Sequence, residues 1–184
     1  MRLHQQYPGD VGVFCVYLLN YARLKPGEAL FLAANEPHAY ISGECIEAMA
    51  CSDNVVRLGL TPKFKDVPTL CAMLTYTAGN PVIVNGKKID SCTRLYTPPV
   101  PEFEVSLTEL RPKMPYRYAQ VQSASLVLVL EGDGHIELNA GSRKQHASKG
   151  AVFFVSAGAQ TNVTAGPSGM RLTRCHTNQK PGYN

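Results

Sequence analysis

Residues 125–138, SLVLVLEGDGHIEL, carry the clearest structural pattern in the chain. The run SLVLVL is typical of a buried β-strand, and the EGDG sequence that follows it predicts a turn into a second strand. The motif KGAVFFV at 149–155 and the segment 170–175 predict further strands. Short strands separated by glycine turns favour a barrel or a sandwich for this part of the chain.

The first half of the chain repeats this pattern of short apolar runs between turn residues. One helix is predicted near 66–76, because Asp66 precedes Pro68 as a capping residue and apolar side chains follow at helical spacing. The dense prolines at 97–102 predict a connection between two β units. Strands are predicted at 11–21, 29–32, 39–41, 45–49 and 55–58.

Composition limits the classes of protein to which the chain could belong. With 184 residues and 45% hydrophobic content it can form one medium domain or two small ones. The net charge of +4 is scattered, which argues against a nucleic-acid partner. No apolar run reaches the roughly 18 residues of a membrane span, and the polar start is unlike a signal sequence. Six cysteines without a CxxC pair predict reduced thiols, so we expect a soluble, cytoplasmic protein.

The motif ANEPHAY at 34–40 presents a candidate metal ligand. Pro37 fixes the backbone before His38, so the histidine is expected on a rigid corner after an apolar run. The alternative is a histidine whose hydrogen bonds are satisfied at the end of a strand.

Ionisable residues are concentrated among the apolar residues that follow. Glu47, Asp53, Arg57 and Lys63 all fall within one short stretch. Burying such groups is unfavourable without a functional or structural reason, so they are site candidates, with an internal ion-pair network as the alternative. His135 has no HxH partner and is expected at the surface or rim.

The chain resembles the type I phosphomannose isomerases, which are zinc-dependent enzymes that interconvert mannose 6-phosphate and fructose 6-phosphate. The resemblance is carried by YPGDVGVF, by the ANEPHAY and ACSDNVVRLGLTPK motifs and by the segment through LCAMLTY, and it extends more weakly to the end of the chain. It implies an aldose-ketose isomerase of mannose and GDP-mannose metabolism.

The resemblance also implies a fold built from small jelly-roll barrels of cupin type. Residues 1–96 would form the C-terminal half of a catalytic barrel, which is therefore incomplete in this chain. Residues 97–102 would be the Pro-rich connection, 103–176 a smaller C-terminal cupin barrel, and 177–184 a tail.

The matched positions imply a set of site residues. His38 matches the zinc ligand that the family takes from this part of its chain, and Arg57 matches the catalytic arginine. The remaining matched residues line the substrate pocket of the family: Tyr40, Glu47, Asp53 and Lys63.

One departure from the family limits what the resemblance implies. A catalytic zinc needs about three protein ligands, and the family takes the others from a Gln-x-His motif and a glutamate that precede the matched region. We therefore expect weak zinc binding and no normal isomerase activity from this chain alone. We also expect it to associate with the missing N-terminal half or with itself. The alternative is a non-catalytic cupin remnant that binds sugar phosphates or acts as an interaction module.

Overall fold

The computed structural model describes residues 2–52, 55–139 and 144–179. The chain divides into two compact units, one comprising Met1–Ile46 with Cys51–Val84 and the other Glu47–Ala50 with Asn85–Asn184. Strand residues outnumber helical residues and the sheets are antiparallel, so the predicted, predominantly β fold class is confirmed. In the part of the chain that is described, no helix has the length and apolar character needed to cross a membrane.

The first unit is mostly irregular, with short elements. Among its described residues only Gly12 is buried, so no apolar core forms there. The elements are α1 (Arg2–Gln6), a 3-10 turn (Val11–Phe14), α2 (Cys15–Leu18), β1 (Glu28–Leu30), α3 (Val67–Met73) and β2 (Ile83–Asn85), which pairs with β1.

Helix α3 confirms the predicted short helix. The Asp66 carboxylate accepts a hydrogen bond from the Thr69 backbone N–H at 3.1 Å, and Pro68 lies in the first turn. Both residues act as the sequence indicated. Asp66 caps the helix, and Pro68 fits the first turn because a backbone N–H there would have no partner within the helix. The helix ends at Met73, three residues before the predicted limit.

The predicted strand at 11–21 is wrong. This run forms the 3-10 turn and α2 instead, and Asp10 caps its start by accepting a hydrogen bond from the Gly12 N–H. A continuous apolar run does not distinguish a strand from a helix by periodicity. The predicted strands at 39–41, 45–49 and 55–58 are also absent among the described residues, where these runs pair with no neighbouring strand.

The second unit is built on one antiparallel sheet. Its strands are β3 (Lys87–Lys88), β4 (Thr93–Tyr96), β5 (Glu104–Leu110), β6 (Pro115–Tyr118), β7 (Ser125–Leu138), β8 (Gln145–Ser148), β9 (Val152–Val155) and β10 (Thr161–His176). The pairing order is β3-β4-β5-β10-β7-β8, with β6 added to β10 and β9 added to β7. Strands β3 and β4 lie within the segment 1–96 of the sequence prediction, yet they belong to this sheet. The division into half a catalytic barrel and a smaller barrel stays a prediction.

The two long strands β7 and β10 pair along most of their length and bend together. The EGDG sequence predicted as a turn lies inside β7, so that prediction is wrong. Gly132 adopts φ +75°, and a Cβ at this position would overlap the Gly169 carbonyl oxygen. Glycine therefore lets the two backbones approach closely beside the register shift between Ala165 and Met170.

The apolar core of the described chain lies in the second unit. It gathers side chains from both ends of β7 and β10, among them Val127, Ile136, Val163 and Leu172. Arg174 is also buried there, and its Nη1 donates to the Ala119 carbonyl at 2.8 Å.

A buried polar clamp holds the end of β10. His176 Nδ1 lies 2.8 Å from the Thr177 carbonyl and 3.6 Å from Glu104 Oε1. Glu104 also accepts from the Gln179 N–H, while the Asn178 amide donates to backbone carbonyls of the Pro-rich segment. Burial lowers the pKa of His176 from its ordinary value of 6.5, and this effect exceeds the opposing contributions of Thr177 and Glu104.

We predict that replacing Gly132 by alanine unfolds or strongly destabilises the second unit. Gly158 is the matched control, because it also has a positive φ (+70°) but has no atom within 4 Å of the position that an alanine methyl group would occupy. Gly158→Ala should show only the penalty of the left-handed backbone, about 1 kcal/mol. Urea denaturation followed by circular dichroism compares the two, and equal losses would contradict the close crossing.

We predict that protonation of His176 destabilises the fold in mild acid. A group with a lowered folded-state pKa binds fewer protons when folded, so the unfolding free energy should fall as pH decreases below 6.5 towards that lowered pKa. The slope is about 1.4 kcal/mol per pH unit at most. His176→Gln should flatten the dependence, whereas His4→Gln, at an exposed position, should preserve it.

Candidate functional site

His38 sits on a tight corner of the first unit. Asn35 adopts φ 63°, and the Glu36 carboxylate accepts from the Ala33 N–H at 3.2 Å, which closes the turn before Pro37. His38 Nδ1 lies 3.0 Å from the Glu36 carbonyl oxygen. A carbonyl only accepts hydrogen bonds, so Nδ1 carries the proton and the neutral ring keeps its lone pair on Nε2.

Tyr40 is the predicted site residue that the structure places beside His38. The two rings meet edge to face, with 5.8 Å between their centroids. Both side chains are exposed, so the corner offers an imidazole and a phenol to a ligand.

Arg57 and Lys63 flank a second corner of the same unit. Arg57 is half-buried and precedes the Gly59–Leu60 pair, while Lys63 is exposed beyond it. The Lys63 backbone N–H donates to the Thr61 hydroxyl at 3.2 Å, which orders the backbone that carries the lysine.

Two predicted site residues fall outside the described part of the first unit. Glu47 is exposed and belongs to the segment 47–50 that clusters with the second unit. Asp53 lies outside the described residues. His135 is exposed on β7, as expected, and its ring contacts that of His146 on β8.

Sequence reasoning missed the contribution of Asp10. Its carboxylate is 8% exposed and accepts from the Gly12 N–H at 2.7 Å and the Leu60 N–H at 3.1 Å, and Lys65 Nζ lies 3.3 Å away. The bond from Gly12 is the largest cause that lowers the pKa of Asp10, aided by Leu60 and Lys65 against the effect of burial. The YPGDVG motif signals the local bond to Gly12, because aspartate often bonds to the backbone two residues on. The motif does not indicate the bond to the Leu60 N–H, which lies 50 residues further along the chain.

The donor set only partly fits a catalytic zinc ion. Across residues 2–52, 55–139 and 144–179, no group of three or more His, Cys, Asp and Glu side chains is arranged to hold a metal. Among the predicted site residues that are described, His38 fits the position of one zinc ligand. Its Nε2 lone pair is available, and its Nδ1 is fixed by the Glu36 carbonyl.

Two segments of the chain match known family profiles. Residues 94–140 match the profile described as phosphomannose isomerase type I C-terminal, and residues 1–19 match phosphomannose isomerase type I, helical insertion domain. The second match coincides with the helical start of the chain, where the sequence had predicted a strand.

Relatives extend the similarity along almost the whole chain. Mannose-6-phosphate isomerase of Cryptococcus neoformans is 52% identical over 90% of this chain. Mannose-6-phosphate isomerase 2 of Arabidopsis thaliana is 48% identical over 95% of it, and the Homo sapiens mannose-6-phosphate isomerase is 44% identical over 89%.

A solved structure shares the fold. Mannose 6-phosphate isomerase (apo form) from Salmonella typhimurium superposes with a TM-score of 0.71 and 28% identity, covering 95% of this chain and 44% of that chain. The chain spans about two fifths of the length of the curated relatives, 39% for the Arabidopsis and Cryptococcus proteins. The chain is similar to the C-terminal portion of the type I phosphomannose isomerases.

Proposed function

We propose that this chain is the C-terminal portion of a zinc-dependent isomerase that interconverts mannose 6-phosphate and fructose 6-phosphate. The observation that supports this most is the 48–52% identity, over at least 90% of the chain, to proteins named mannose-6-phosphate isomerase. The setting of His38 adds support, because one imidazole nitrogen is held and the other is available.

In this proposal each site residue has a role that suits its chemistry. His38 supplies one zinc ligand through Nε2, and zinc when bound is a Lewis acid for negative charge on oxygen. Moving a carbonyl between C1 and C2 requires an enediol-like intermediate with negative charge on oxygen, which the permanent charge of Arg57 stabilises. Lys63 meets the anionic substrate as a point charge, and Tyr40 lines the same pocket beside His38.

The two carboxylates have less defined roles. We propose that Glu47 and Asp53 position sugar hydroxyls or assist proton transfer, as a carboxylate within reach of substrate can do either. Glu47 is exposed, which leaves its carboxylate accessible to a ligand.

The exposed apolar side chains of the first unit favour a binding partner. Around α2, Phe14 is 60% exposed, Tyr17 is 70% exposed and Leu18 is 80% exposed. Such a surface is unfavourable in water. We propose that the preceding part of an isomerase packs on this face, with self-association as the alternative.

A second candidate function is a non-catalytic cupin remnant that binds sugar phosphates or serves as an interaction module. The observation that favours it is the lack of a three-ligand metal group among the described residues. Binding of mannose 6-phosphate without turnover, even when the remaining isomerase segment is supplied, would favour this second function.

We predict that the chain alone binds zinc weakly and has no isomerase turnover, because one histidine cannot replace a three-ligand site. A chimera in which this chain replaces the matching portion of the Cryptococcus relative should bind one zinc ion and be active. In the chimera His38→Gln should abolish tight zinc binding, while His4→Gln should not. Zinc analysis with a coupled assay measures both, and tight zinc with turnover by the chain alone would overturn the prediction.

We predict that Arg57→Lys in the chimera lowers kcat by roughly 100-fold, as loss of a preorganised donor for developing negative charge does. Lysine keeps the charge but not the planar set of donors. Arg23→Lys, at an exposed position of the same unit, is the matched control and should leave kcat unchanged. An unchanged kcat in the Arg57→Lys variant would show that Arg57 has only a structural role.

A further inference from the structure

The carboxylate of Asp10 joins two distant segments of the first unit. It accepts from the Gly12 N–H in its own turn and from the Leu60 N–H, 50 residues along the chain. Lys65 Nζ completes the set at 3.3 Å. Three donors on a carboxylate that is 8% exposed form a fixed connection, because few water molecules compete for it.

The connection continues to the backbone of Lys63. Lys65 Nζ also donates to the Thr61 carbonyl at 3.1 Å, and the Thr61 hydroxyl accepts from the Lys63 N–H at 3.2 Å. A continuous series of hydrogen bonds therefore runs from Asp10 through Lys65 and Thr61 to Lys63.

Close packing and backbone conformation point to the same connection. A Cβ on Gly12 would lie 3.0 Å from the Gly59 Cα, and one on Gly59 would lie 2.8 Å from the Gly12 Cα, so the two backbones need glycine at both positions. Leu60 adopts φ 56°, which is unfavourable for a leucine. Such a conformation persists where surrounding contacts fix it, and it is common at functional sites.

We propose that Asp10 is a positioning residue that holds the segment 57–63 so that Lys63 and Arg57 meet a bound sugar phosphate. This inference rests on the proposed function. Asp10 itself touches no substrate and acts through Leu60, Lys65 and Thr61. Its loss should affect substrate binding more than the chemical step, because the exposed Lys63 lies at the end of the connected series.

The first test measures amide hydrogen exchange by NMR on the 184-residue chain. Asp10→Asn should accelerate exchange of the Leu60 and Gly12 amides at least tenfold, because the asparagine amide group brings a donor towards Leu60 and Lys65. Asp66→Asn is the matched control: Asp66 caps α3 through Thr69, so that variant should affect Thr69 and not Leu60. Unchanged Leu60 exchange in Asp10→Asn would overturn the proposal.

The second test uses the chimeric isomerase. Asp10→Asn should raise the KM for mannose 6-phosphate at least fivefold with a smaller change in kcat, and Lys65→Met should give an intermediate KM. Asp66→Asn should leave KM unchanged. A fall in kcat with unchanged KM would show a merely structural role for Asp10. If the chimera with native Asp10 is inactive, the proposed function fails, and the exchange experiment alone decides whether Asp10 docks the segment.

Discussion

The first unit depends on the hydrogen bonds that the carboxylate of Asp10 accepts. Among its described residues only Gly12 is buried, so apolar packing contributes little to its order. Hydrogen bonds to a charged acceptor contribute about 1.5–3 kcal/mol each, enough to offset the roughly 1–2 kcal/mol of a leucine in the left-handed region. The Gly59–Lys65 segment is therefore ordered by polar contacts to Asp10 rather than by a core.

The second unit is ordered by an apolar core. Its paired strands β7 and β10 bend at glycines, and the bend brings Val127 and Ile136, from opposite ends of one strand, into the same core. The strands must cross closely for this, and the Gly169 carbonyl leaves no space for a side chain at residue 132. Glycines that permit the close crossing therefore also permit the apolar burial that stabilises the sheet.

Local signals in the sequence were sufficient where the structure is decided locally. Asp66 and Pro68 predicted α3, and the SLVLVL run predicted a strand, because capping and burial act within a few residues. The EGDG sequence was misread because glycine can bend a paired strand as readily as end it. The apolar run at 11–21 was misread because its helical turns depend on a cap and on close packing with Gly59. No local pattern identifies a contact between Asp10 and Leu60, so this part of the site could not be predicted.

The candidate site residues also differ in whether local or distant contacts place them. His38 was predictable because its presentation depends on its immediate neighbours: Pro37 sets the corner and the Glu36 carbonyl fixes the ring tautomer. Lys63 depends on Thr61, which depends on Lys65 and Asp10, so its placement is set at long range. His38 is oriented by its own neighbours, whereas the proposed placement of Lys63 depends on the distant carboxylate of Asp10. The proposed site is therefore sensitive to substitution at a residue that contacts no ligand, as well as at the residues that do.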